Sequence, residues 1–197
     1  MAEPEKGGVA KRSFYLLLLI VVLFLIASMR NYLQEEPEWG RFVAEEDGFS
    51  VLVAGSPDRR TIEEELPGGK IASHYLMFAR EGVQYAVARV ELPAKEPEEI
   101  GVILERAGEA LVERVQGELI ERGEISASGY AGRRLEVEAG DGSVLRARII
   151  LANGQLYTLM AGMGEMQEGL QAEVDSFFAS FEILTGEEGK ENSPAAE

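Results

Sequence analysis
His74 is the sole histidine of the chain, so it is the only side chain that could act as the base of a Ser-His-Asp arrangement. It lies in the alternating segment IASHYLMF, and its neighbour Ser73 cannot serve it, because consecutive strand residues point to opposite faces. With no G-x-S-x-G elbow in the sequence, His74 reads as a structural histidine. The segment GMGEMQEG, Gly162 to Gly169, follows a strand pattern and opens a helical one, the context of a phosphate-cradling loop. Its spacing fails, since a dinucleotide fingerprint needs glycine where this chain has Gln167, and Glu165 would repel phosphate at the helix N-terminus. Carboxylates gather at Glu45-Glu46-Asp47, at Glu63-Glu64-Glu65 and at Glu96 with Glu98-Glu99. Such groups could bind calcium or share acid–base work, but none has the order of an EF-hand loop, and they read as solvated acidic surface. Arg134, Arg146 and Arg148 form the one basic constellation of an otherwise acidic chain. Arg146 and Arg148 share a strand face, and with a neighbouring strand they could make a fork-like site for a carboxylate or other anion. Ion pairing with surface acids is the plainer alternative.

Composition removes several other chemistries. The 197 residues include no cysteine, which excludes disulfides, thiolate metal sites, thiol catalysis and the lipid-bearing cysteine of a bacterial lipoprotein. No cofactor and no metal site are expected. Acidic residues outnumber basic ones 35 to 19, for a net charge of -16. Nucleic acid and anionic membrane surfaces are therefore poor partners for the chain as a whole.

The elements that must position these residues begin with SFYLLLLIVVLFLIASM, Ser13 to Met29, a stretch without charge, Gly or Pro that meets the lower length of roughly 17 residues for a membrane-spanning helix. A removed signal peptide competes with this reading, but cuts after Ala27 or Ser28 would put Leu25 or Ile26 where a small residue is wanted. Lys6, Lys11 and Arg12 precede the span, and Glu35, Glu36 and Glu38 follow Arg30, so the N-terminus is expected inside and the rest outside. The organisation read from sequence is a cytoplasmic tail (1–12), a transmembrane anchor (13–29), a linker (30–38), an extracytoplasmic α+β domain (39–184) and a disordered acidic tail (185–197).

Within the domain, alternation predicts strands at Arg41 to Ala44 and at Phe49 to Val53, about an Asp47-Gly48 turn. Further strands are predicted at Ile62 to Leu66, Ile71 to Phe78 and Val83 to Leu92, the first two flanking a Pro67 to Lys70 loop. An amphipathic helix is predicted from Pro97 to Arg122, with Ile100, Ile103, Leu104, Ala107, Leu111, Val115 and Leu119 on its stripe. Strands return at Glu124 to Ala127, Arg133 to Ala139, Ser143 to Leu151 and Gln155 to Ala161. A second helix about Glu165 to Ser180 and a short strand to Leu184 complete the pattern. The register of one hairpin follows from its apolar faces: a three-residue Gly140-Asp141-Gly142 loop pairs Val137 with Leu145 and Glu136 with Arg146, whereas a two-residue loop would mix the faces. The fold class is thus α+β, a mostly antiparallel sheet with two packed amphipathic helices, preceded by one transmembrane helix.

Trp39 with Phe42, then GFSVLVAGSP (Gly48 to Pro57), GYAGRRLEV (Gly129 to Val137), QLYTLMAG (Gln155 to Gly162) and FFASFEIL (Phe177 to Leu184) give the domain a punctuation that resembles the PsbP and DcrB family of bacterial membrane-anchored or lipid-anchored domains. The resemblance implies an α-β-α sandwich and an extracytoplasmic module without a reaction of its own. In the photosystem branch it implies docking onto a membrane complex. An uncleaved helix stands here in place of a lipid-attachment cysteine, and no functional residue is carried over. The function expected is a non-catalytic interaction or assembly module, accessory to a membrane protein complex or envelope protein and held to the bilayer through residues 13–29. A small-ligand or cation-binding domain is the alternative, and an enzyme the third reading.

Overall fold
Gly48, at φ 72°, ends a 3-10 turn over Glu45–Asp47 and sends the chain back on itself. The turn joins β1 (Trp39–Ala44) to β2 (Phe49–Ala54) as an antiparallel pair, with Phe49, Val51 and Val53 buried as their alternation predicts. The computed structural model describes residues 37–66, 69–92, 99–164 and 168–184. The expected anchor at 13–29, the segments 1–12 and 185–197, residues 30–36 of the linker, Pro67 and Pro93 lie outside the described residues.

β3 (Asp58–Leu66) and β4 (Gly69–Arg80) stay paired out to Leu66 opposite Gly69, so Gly69 and Lys70, expected in a loop, belong to the strand. Glu81 and Gly82, both at positive φ, make the left-handed turn that matches strand twist and leads into β5 (Val83–Glu91). After α1 (Ile100–Arg114) come β6 (Glu118–Ala127), β7 (Tyr130–Glu138), β8 (Val144–Ala152) and β9 (Gln155–Met163), the last pair joined through Asn153-Gly154. α2 (Glu168–Ala179) and β10 (Glu182–Ile183) close the domain. The described strands form a seven-stranded antiparallel sheet in the order β3-β4-β5-β9-β8-β7-β6 and a three-stranded sheet in the order β1-β2-β10.

The Pro97 to Arg122 helix expected from the sequence is shorter in the structure. It ends where Gln116 takes φ 50° and the N–H groups of Gln116 and Gly117 donate to the carbonyls of Glu113 and Val112, the paired bonds that terminate a helix. Leu119, expected on the helical stripe, instead sits in β6, and Ile100 at the other end is exposed. The predicted hairpin register is the one observed, with Val137 opposite Leu145 and Glu136 opposite Arg146.

The seven-stranded sheet is buried from both sides. Ile149 and Ile150, consecutive on β8 and each 1% exposed, belong to different cores. On one face α1 sets Leu104 against Leu135, Val137, Ala147 and Ile149. On the other, α2 and the small sheet together cover Leu76, Tyr85, Val87 and Leu159, so this outer layer is part helix and part sheet.

Phe78 stacks on Tyr85 at 4.9 Å, with Phe177 edge-on to both. The Tyr85 hydroxyl, in contrast, is buried without a hydrogen-bond partner among the described residues. Burial first, then the Glu173 and Glu81 carboxylates, push its pKa up to about 12. The fold therefore favours the neutral phenol, and this contribution to stability is complete below pH 10 and is lost as pH rises towards 12. Tyr85→Phe keeps the ring contacts and removes the orphaned hydroxyl, so it is expected to raise stability at pH 7 by about 1 kcal/mol. It should also flatten the alkaline loss. Urea denaturation of both proteins at pH 7 and pH 11 checks this, and an equal alkaline loss in the two would contradict it.

Candidate functional site
The β7–β8 register sets Arg134 opposite Arg148 and Glu136 opposite Arg146, on the sheet face turned away from α1. The three arginines expected to cluster therefore do so, and with Glu121 and Phe178 they line a cleft of about 80 Å³. Each is held differently. Arg134 pairs with Glu121 at 2.6 Å, both side chains half exposed. Arg146 lies between Asp175 of α2, at 3.2 Å, and Glu136, at 3.7 Å. Arg148 has no ion pair among the described residues; its guanidinium lies over the Phe178 ring, 4.9 Å from the centroid. Burial is the main reason its pKa is lowered, with Arg146 and Arg134 adding to the fall and Asp175 opposing it.

Stacking on an aromatic face stabilises a guanidinium but satisfies none of its N–H donors. A carboxylate or similar oxyanion entering this cleft would meet a planar fork already oriented by Phe178 and would supply the charge that Arg148 lacks. The cleft is large enough for such a group and too small for a nucleotide or sugar. The plainer alternative of ion pairing holds for Arg134 and Arg146 and fails for Arg148.

A second basic constellation was not legible in the sequence. Asp47, expected with Glu45 and Glu46 on a solvated acidic surface, is 7% exposed. Its carboxylate receives Arg59 at 3.2 Å and Arg89 at 3.4 Å, and the His74 Nδ1 lies 3.4 Å away. The Tyr157 hydroxyl donates to its backbone carbonyl at 3.1 Å. Arg59, His74 and Arg89 come from β3, β4 and β5, and Tyr157 from β9, so the carboxylate of one residue on the small sheet's turn is tied to three strands of the large sheet and its backbone carbonyl to a fourth. His74 thereby joins the Asp47 cluster, and Ser73 is buried on the opposite face. Of the GMGEMQEG segment, Gly162 and Met163 end β9, while residues 165–167 lie outside the described residues. Among the described residues, no three His, Asp or Glu side chains are grouped to hold a metal ion.

No family model and no curated protein matches this chain. Among solved structures, cyanobacterial PsbP (CyanoP) from Synechocystis sp. PCC 6803 superimposes with a TM-score of 0.53 at 16% identity, over 76% of this chain and 95% of that one. A protein of unknown function from Pseudomonas aeruginosa is 12% identical over 81% of this chain and 99% of its own, with a TM-score of 0.39. The chain has a PsbP-like fold, as the resemblance implied.

Proposed function
We propose that this protein is a non-catalytic interaction module, tethered by residues 13–29 and displayed outside the cytoplasmic membrane, which docks an acidic segment of a membrane or envelope protein at its arginine cleft. A fold alone hosts many functions, so the reading rests on the site. The observation that carries it is Arg148, a half-buried cation lining the cleft, its guanidinium over Phe178 and in no ion pair among the described residues. The tether and its orientation rest on the apolar run and on the basic residues before it.

Arg146 is no place to test this, because reversing its charge would set three carboxylates together with Glu136 and Asp175. Arg148→Gln removes the charge and breaks no ion pair among the described residues. Crosslinking in intact cells with a reagent that does not enter the cytoplasm, followed by mass spectrometry, should yield one reproducible envelope-protein adduct. Arg148→Gln should lower its yield roughly 10- to 100-fold, the weight of a charge-assisted hydrogen-bonded pair. Raising salt from 0.1 M to 1 M shortens the Debye length from about 10 Å to 3 Å and should weaken the contact as well. An adduct indifferent to both, or one formed only after lysis, defeats the proposal. If the purified protein instead stands alone and melts later with acetate or phosphate, the cleft serves a small anion.

A further inference from the structure
The face of the sheet opposite the arginine cleft carries a second concavity. Between α1 and β6 runs a groove of about 350 Å³, lined by Gly108, Val112, Leu119 and Leu135, by Glu109 and Glu113, and by Glu105 with Arg122 and Arg133 paired to it. Gly108 lets the helix sit low on the sheet, since a β-carbon there would lie 3.3 Å from Leu135 Cδ1. Leu119 and Ile120, 42% and 54% exposed, lie at an irregularity in the β6–β7 pairing. We propose that this groove, with the β6 edge beside it, docks an extended cationic segment of another protein, which places an aliphatic side chain over Leu135 and basic side chains against Glu109 and Glu113.

Charge selects the occupant. Glu105, Glu109 and Glu113 are spaced four residues apart and form one helical stripe, an arrangement that costs the helix stability when unpaired. Arg122 and Arg133 both close on Glu105. Glu109 and Glu113 have no ion pair among the described residues. The stripe is thus neutralised at one end and open at the other. β6 pairs only with β7, so its outer backbone groups are available to a further strand. Glu118, Glu121 and Glu124 along it would repel a second copy of the same edge, so the site selects against self-association and for a basic partner.

The test uses the full-length protein in zwitterionic lipid nanodiscs and a labelled decapeptide of alternating valine and lysine, with empty nanodiscs as blank. Saturable binding is expected, with slowed amide exchange in residues 118–127. Decapeptides of alternating serine and lysine, or valine and glutamate, should bind at least tenfold more weakly, because each lacks one of the two elements. Glu109→Lys with Glu113→Lys should weaken the valine–lysine peptide at least tenfold. Glu45→Lys with Glu91→Lys changes net charge equally on exposed sites elsewhere and should change binding less than threefold. Absence of saturable binding, equal losses in the two double variants, or unchanged exchange in β6 would each overturn the proposal.

Discussion
Replacing Gly117 by alanine is expected to destabilise the domain by about 3 kcal/mol, near the upper end of the overpacking range, and to lower its melting temperature by roughly 6–12 °C. The added β-carbon would fall against the Glu138 backbone carbonyl, 2.7 Å from Val137 Cγ1 and 3.1 Å from the Ala139 Cα. These are mostly backbone atoms of the next hairpin, which cannot rotate aside as a side chain could. The neighbouring change should act in the opposite direction. Gln116 holds a left-handed conformation, so Gln116→Gly relieves strain at the helix end and should raise stability by up to about 1 kcal/mol. Thermal denaturation of the two single variants checks both signs, and a Gly117→Ala protein within 1 kcal/mol of the parent would show that the corner can open.

Asp47→Ala should cost about 3 kcal/mol, the lower part of the range for breaking a buried charge pair, because Arg59 and His74 reach solvent and Arg89 does so much less. The loss is the uncompensated guanidinium of Arg89 together with the missing link between sheets. Asp47→Asn keeps the shape and one acceptor and should lose less. If both variants unfold in urea at the parent's midpoint, the carboxylate is not what ties the turn to β3, β4 and β5.

These two residues also mark where sequence reasoning stopped. Turn chemistry was readable: Asp47-Gly48 joins the two strands it was expected to join, and Glu81-Gly82 and Asn153-Gly154 make turns of the same left-handed kind. The β7–β8 register was readable because a slip would have exposed Val137 and Leu145, and with it came the Arg134, Arg146 and Arg148 cluster. The helix end was not, because Leu119 follows Val115 by four residues and keeps the helical phase although it lies in a strand. Alternation reports which face a residue takes and not which sheet it joins, so the separation of β1, β2 and β10 from the other seven strands had no local signal. Asp47 is one of three adjacent acids, and its burial arises from cations 12 to 42 positions away in sequence. Nor could the cluster alone say that Arg148 is the arginine without an acid, since Phe178 and Asp175 come from a helix late in the chain.

The order of the large sheet bears on how the chain emerges during synthesis. Every pair in it joins consecutive strands except β5 with β9, where Glu91 meets Gln155. Hairpins close over short loops, whereas this seam closes over more than sixty residues and carries the largest loop-closure entropy in the sheet. The β5 segment VQYAVARVE is apolar for most of its length, and Val83, Tyr85 and Val87 are fully buried at the end. Until the ribosome has released β9, that strand is the open edge of a finished meander, with charges only at Arg89 and Glu91 near its end where β3 and β6 carry them along their length. The nascent protein is therefore most prone to aggregate over the interval in which α1 through β8 are being made, and its stickiest edge becomes, on completion, the middle of the sheet.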